Sequence, residues 1–199
     1  MPITIRLLIA NALLAFAGLA SAAPVILDFE DTPYENDTFD FPFVHKGFVI
    51  DPGLSASMPA ITGGPDKHLV ICGWCTTGTE GISISSDLGL RFELTSMDIS
   101  FFEDSEAGIT PLTGTVTGHL ASGATLTQAI VGGVMNFDSS WSKLASVDIE
   151  FDTNVASVPP YLAGAIDDIH VSEVPVPAAV WLFVSALGGL GWMRRRQTH

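Results

Sequence analysis

The side chains able to do chemistry are few, and they fall into small groups. Cys72-Gly73-Trp74-Cys75 holds the only two cysteines. In an exported chain a pair this close forms a small disulfide that pins a loop, and so short a loop removes little chain entropy. Redox use would need a helix N-terminus or a basic neighbour to lower a thiol pKa, and zinc at this pair would need two further ligands. Glu103, Asp104 and Glu106 are carboxylates of the type a glycosidase requires in a facing pair, but they lie in a Ser/Gly-containing loop, where acids are ordinarily solvated. His45, His68, His119 and His170 are scattered, and there is no Gly-x-Ser-x-Gly elbow, His-Glu-x-x-His pair or phosphate-binding glycine loop. The expectation is therefore no enzyme. Trp74, Trp141 and Tyr161 are the aromatics that would stack on sugar rings if the body binds polysaccharide; otherwise they pack in the core or at its rim.

Elements that could position these residues read as strands. Short runs rich in β-branched and aromatic residues occur at Val25–Phe29, Gly47–Ile50, His68–Ile71, Ile82–Ile84, Phe92–Leu94, Met97–Phe102, Thr113–Leu120, Thr125–Val131, Leu144–Phe151 and Ala165–Val171. Turn residues separate them, as in Asp51-Pro52-Gly53, Gly63-Gly64-Pro65 and Ser122-Gly123. Regular short strands without a helical period predict an all-β sandwich or barrel. Alternation is cleanest in Ser146-Val147-Asp148-Ile149-Glu150-Phe151, which sends Val147, Ile149 and Phe151 to the core and the acids to water. Asn36-Asp37-Thr38 matches a glycosylation sequon, a short pattern that carries little weight alone.

The two ends differ from this body. Met1 to Ala23 has Arg6, an apolar run Leu7–Leu19 and then Ala20-Ser21-Ala22, the layout of a secretory signal peptide; an uncleaved N-terminal anchor is the alternative. At the other end, Val174 to Arg196 reads VPVPAAVWLFVSALGGLGWMRRR. Its apolar run, Ala178–Met193, would make a helix of roughly 24 Å at about 1.5 Å per residue, slightly short of a full crossing. Trp181 and Trp192 sit near its ends, and Arg194, Arg195 and Arg196 mark the cytoplasmic side. The strip Ser172–Val176 separates body from tail, which gives a signal segment at 1–23, a sandwich at 24–171 and a membrane tail at 172–199.

Between Pro24 and Val174 only Lys46, Lys67, Arg91 and Lys143 face all 22 carboxylates, a formal charge of −18. Such a body repels nucleic acid and anionic lipid, and it suits divalent cations or plain solubility outside the cell. About 150 residues is the usual size of one domain.

The tail resembles the tripartite C-terminal sorting signal of the PEP-CTERM family. Val174-Pro175-Val176-Pro177-Ala178 matches its VPLPA-type variant, with Val176 where the variant has Leu, followed by the small-residue run Ser185–Gly191 and the arginine triplet. The resemblance implies a transient membrane anchor, an exosortase-type processing enzyme as partner, and release to the surface or matrix of a Gram-negative bacterium. A permanent tail anchor is the alternative. Pro175 and Pro177 lack backbone donors and keep the motif extended above the bilayer. The stretch Ile82–Phe101 is similar to a pattern common in the bodies of that family, with core-facing sets Phe92, Leu94 and Met97, Ile99, Phe101 interrupted by a bend between strands at Thr95-Ser96.

The body itself resembles galactose-binding-like and carbohydrate-binding jelly rolls, which open on a Phe-Glu strand (Phe29-Glu30 here) and close on an Asp-Asp-Ile strand (Asp167-Asp168-Ile169). That resemblance implies a jelly-roll-like sandwich flanked by an N-terminal signal helix and a C-terminal transmembrane helix. It also implies that first and last strands are neighbours and that Glu30 and Asp168 supply charged ligands to a structural calcium, an ion that takes six to eight oxygens. The alternative is solvated acids, with Asp167 or Asp168 making turn hydrogen bonds. Two functions from different classes remain: an exported surface or matrix protein, and a carbohydrate-binding module acting on extracellular polysaccharide.

Overall fold

The computed structural model describes residues 23–32, 42–52, 60–62, 66–71, 79–103, 113–152 and 162–174, all within one unit, Ala23–Val174. Residues 1–22 of the expected signal segment, residues 175–199 of the expected membrane tail, with Pro175–Ala178 and Arg194–Arg196, and Cys72 and Cys75 lie outside the described residues. No helix among the described residues is long and apolar enough to cross a membrane.

The elements are twelve strands: β1 Val25–Leu27, β2 Phe43–His45, β3 Phe48–Asp51, β4 Ala60–Thr62, β5 His68–Ile71, β6 Thr79–Ser86, β7 Phe92–Glu103, β8 Thr113–Leu120, β9 Thr125–Ala129, β10 Gly133–Asn136, β11 Leu144–Asp152 and β12 Leu162–Glu173. A single turn of 3-10 helix, Ser139–Trp141, precedes β11. All pairings are antiparallel. One ladder runs β2-β3-β6-β11-β8-β9; another runs β10-β7-β12, with β5 and β1 on the far side of β12 and β4 beyond β5. Among the described residues only the Leu144–Phe92 pair joins them, so the sheet curls over on itself as in a jelly roll.

The two halves meet face to face through apolar side chains. Phe151 of β11 lies over Gly164 of β12, where an added Cβ would sit 2.7 Å from Phe151 Cζ. The Phe48 and Phe92 rings meet edge to face at 5.4 Å. Val147, Ile149 and Phe151 are fully buried, as period-two alternation requires, and the same rule buries Ile82 and Ile84 on β6 and Val116 on β8.

Two expectations about strands need correction. Phe92–Leu94 and Met97–Phe102 are one strand, β7, because the phase change at Thr95-Ser96 is a bulge: Val171 opposes Leu94 and His170 opposes Ser96, which leaves Thr95 unpaired in the ladder. Its hydroxyl donates to the His170 carbonyl at 3.1 Å. Strands β2, β4 and β10 were not foreseen, since three or four residues carry too little periodicity to be legible. First and last strands are indeed neighbours, with Val25 opposite Val171 and Leu27 opposite Ile169.

Candidate functional site

Chemistry-bearing side chains gather where β1 ends. Phe29 adopts a left-handed backbone (φ 56°), and its carbonyl accepts from both the Thr32 amide (3.1 Å) and the Thr32 hydroxyl (2.7 Å). Burial of the Phe29 ring offsets that backbone conformation: it is fully buried and stacks on His45 at 5.4 Å. The β2–β3 hairpin closes on Lys46-Gly47, both at positive φ (47° and 86°), the two-residue turn whose twist suits flanking strands. This turn delivers Lys46 to the acids. Its ammonium donates to the Ile26 carbonyl (3.1 Å) and Asp28 Oδ1 (2.5 Å) and lies 3.8 Å from Asp31 Oδ1.

Asp28, Asp31 and His45 present ligand atoms within 4.8 Å of one another. The His45 side chain is 8% exposed, and its Nε2 lies 3.6 Å from Asp31 Oδ1. That separation is too long for a hydrogen bond, and Nε2 has no hydrogen-bond partner among the described residues. Burial lowers the His45 pKa, the Lys46 charge lowers it further, and Asp31 and Asp28 only partly oppose this. For Asp28, burial pushes the carboxyl up, but Lys46 and the amides of Glu30 and Asp28 bring it below its ordinary value.

A second acidic patch surrounds Asp167. Asp167 is part-buried and its pKa is raised to about 7, first by burial and then by the charges of Asp168, Asp66 and Glu30, although the Asp168 amide stabilises its ionised form. That amide donates to Asp167 Oδ1 at 2.8 Å. A bulge sets the pair apart: Asp167 opposes Asp98, whereas the next paired residue, His170, opposes Ser96, and Asp168 itself has φ 46°. Glu30 Oε1 accepts from the Lys67 amide at 2.9 Å, while the Lys67 ammonium turns to the Thr32 carbonyl at 2.8 Å. No described cation makes an ion pair with any of these four carboxylates. The donor set fits an oxygen-seeking cation such as calcium in type. Glu30 and Asp168, singled out from sequence, thus share a neighbourhood with Asp167 and Asp66.

A third feature lies at the seam joining the two halves. Arg91, Ser122, Ser139, Ser140, Ser142 and Lys143 line a cavity of about 300 Å³. Asp138 caps the 3-10 turn by accepting from the Ser140 amide (2.8 Å) and hydroxyl (2.5 Å), bonds that lower its pKa. The Lys143 carbonyl accepts from Ala121 (3.3 Å) and the Arg91 carbonyl from Val174 (2.7 Å), so backbone bonds fix both cationic residues. Neither side chain makes an ion pair among the described residues.

Other candidates fare differently. Trp141 is 4% exposed and packs on Phe137 at 4.7 Å, so its ring is core and unavailable for stacking on a sugar. Trp74, Tyr161, Asp104 and Glu106 lie outside the described residues, and Glu103 is described only as backbone in β7. His119 Nε2 meets Asp148 Oδ2 at 2.6 Å across β8 and β11. The His45–Lys46 contribution was missed, since the three residues Phe43-Val44-His45 followed by Lys-Gly are too weak a hairpin signal to read.

No family model and no curated protein matches this chain. Among solved structures, it is similar to an arabinose-bound GH51 α-L-arabinofuranosidase (11% identity, TM-score 0.46, covering 76% of this chain and 26% of that one). It is also similar to the CBM22-1 xylan-binding domain of Paenibacillus barcinonensis Xyn10C (18% identity, TM-score 0.30, covering 79% and 99%). A third is the CBM22-1-GH10 module pair of a Clostridium thermocellum xylanase, complexed with xylohexaose (9% identity, TM-score 0.29, covering 71% and 29%). At these TM-scores the likenesses carry no argument about ligand.

Proposed function

We propose that the chain is a non-catalytic, exported surface or matrix protein, with an acidic β body delivered by a removable C-terminal membrane signal read by an exosortase-type enzyme. The observation that carries this reading is the order of the chain: a secretory start, a body of formal charge −18, and then VPVPA, an apolar run and three arginines. Val174, the first residue of the motif, donates its amide to the Arg91 carbonyl at 2.7 Å. Mass analysis of the protein recovered outside the cell tests this: the released form lacks both Met1–Ala22 and Arg194–Arg196. Recovery of a released form that retains the arginines overturns it. The reading includes a calcium ion held from Glu30 and Asp168, tested by the stability measurement in the Discussion.

A second reading, polysaccharide binding, is favoured by the seam cavity. Two of the body's four cations, Arg91 and Lys143, line it together with serine hydroxyls. Its volume of about 300 Å³ is at the small end for ligand pockets, which run from about 300 to 1,000 Å³. Hydroxyls and two cations beside Leu120 and Ala121 suit a neutral glycan, whose oxygens accept charge-assisted hydrogen bonds from guanidinium and ammonium groups while the body of charge −18 repels a polyanion. In affinity electrophoresis a neutral polysaccharide retards the protein, and Arg91→Ala with Lys143→Ala abolishes the retardation. Equal retardation by the double variant would remove this reading.

A further inference from the structure

We propose that Asp28, Asp31 and His45 form a binding site for a zinc-class divalent cation, entered by displacing the Lys46 ammonium. Four observations converge. The three side chains offer two carboxylate oxygens and one imidazole nitrogen within 4.8 Å, a mixed oxygen and nitrogen set that zinc accepts and that suits calcium or magnesium poorly, since both prefer oxygen alone. His45 Nε2 is buried, unpartnered among the described residues and 3.6 Å from Asp31 Oδ1. This is close to the ~3.3 Å edge between nitrogen and oxygen ligands that each lie about 2.0–2.1 Å from a tetrahedral zinc. A buried imidazole nitrogen left without a partner is costly, and a metal would satisfy it where no donor or acceptor among the described residues does.

The position is already a cation site. Lys46 places its ammonium 2.5 Å from Asp28 Oδ1 and 3.8 Å from Asp31 Oδ1, and its side chain keeps 27% exposure, so it can swing outward to water. Asp31, at 63% exposure, is free to close on an ion. Phe29 stacked on the His45 ring holds the imidazole plane, an orienting contact of the sort that metal-binding histidines need. With three protein ligands the fourth position is left to water, the arrangement of an open zinc site.

The test uses the full chain, purified in detergent and stripped with a chelator, titrated with zinc by calorimetry and with cobalt(II) by visible absorption. One equivalent of zinc binds, and cobalt gives the intense bands of a four-coordinate site that a hundredfold excess of calcium leaves unchanged. His45→Gln weakens zinc at least tenfold, and Lys46→Met strengthens it at least tenfold by removing the competing charge. Should His45→Gln fail to fold by near-UV circular dichroism, Asp31→Asn at an exposed position carries the same test, with the same tenfold weakening expected. Unchanged affinity in the folded His45 or Asp31 variant, weaker binding in Lys46→Met, or displacement of cobalt by calcium would each overturn the proposal.

Discussion

Replacing Asp167 with Asn should make the protein more stable at pH 8 and leave it unchanged at pH 4. The Asp167 carboxyl is held at about 7 in the folded chain and would sit at about 3.9 unfolded. Between those values the native state keeps a proton that the unfolded state has lost. Stability is therefore greatest below about pH 4 and falls as pH rises through about 7. In a dry site a displacement of that size is worth about 4 kcal/mol, at 1.36 kcal/mol per pH unit. Asp167 is only part-buried, so solvent screening reduces the effect to roughly 1–2 kcal/mol. Asn keeps an oxygen to accept from the Asp168 amide, so the substitution removes charge and little else. Urea denaturation at pH 4 and pH 8 reads the effect: with m of about 1–3 kcal/mol per M, the variant's midpoint at pH 8 rises by roughly 0.5–1 M. Millimolar calcium should restore the parent at pH 8 by neutralising the patch, a linkage gain of about 2.7 kcal/mol at one hundred times Kd. An equal shift at both pH values, or a loss of stability at pH 8, would refute the electrostatic account, and absence of any calcium effect on the parent would refute calcium at Glu30 and Asp168.

Gly164→Ala forces a Cβ to 2.7 Å from the Phe151 ring, an overpacking that costs about 1–3 kcal/mol; thermal melts check it, and a neutral result would mean that the two halves do not press together there. Trp141→Ala should destabilise by about 3–5 kcal/mol as a buried aromatic truncation, measured by chemical denaturation. A cost below about 1 kcal/mol would place the ring at the surface rather than in the core.

Some of this chain is readable without a fold. Period-two alternation in Ser146–Phe151 fixes both the strand and its buried face, because successive side chains point to opposite sides whatever the neighbours are. Charge bookkeeping separates an acidic body from basic ends, and the export reading proposed above rests on the order of residues at those ends, since such signals work as linear sequence. The Phe-Glu and Asp-Asp pairs likewise point to adjacent first and last strands. Tertiary structure decided the rest. Short strands β2, β4 and β10 exist because neighbours supply their hydrogen bonds, not because three or four residues prefer extension. A bulge at Thr95 fuses what reads as two strands, and another beside Asp168 leaves Asp167 part-buried with its pKa raised to about 7. Above all, Asp28 and Asp31 meet His45 only because the Lys46-Gly47 turn folds β2 back against the end of β1; contact between residues 14 or more positions apart depends on where the backbone turns, which residue identity alone does not state.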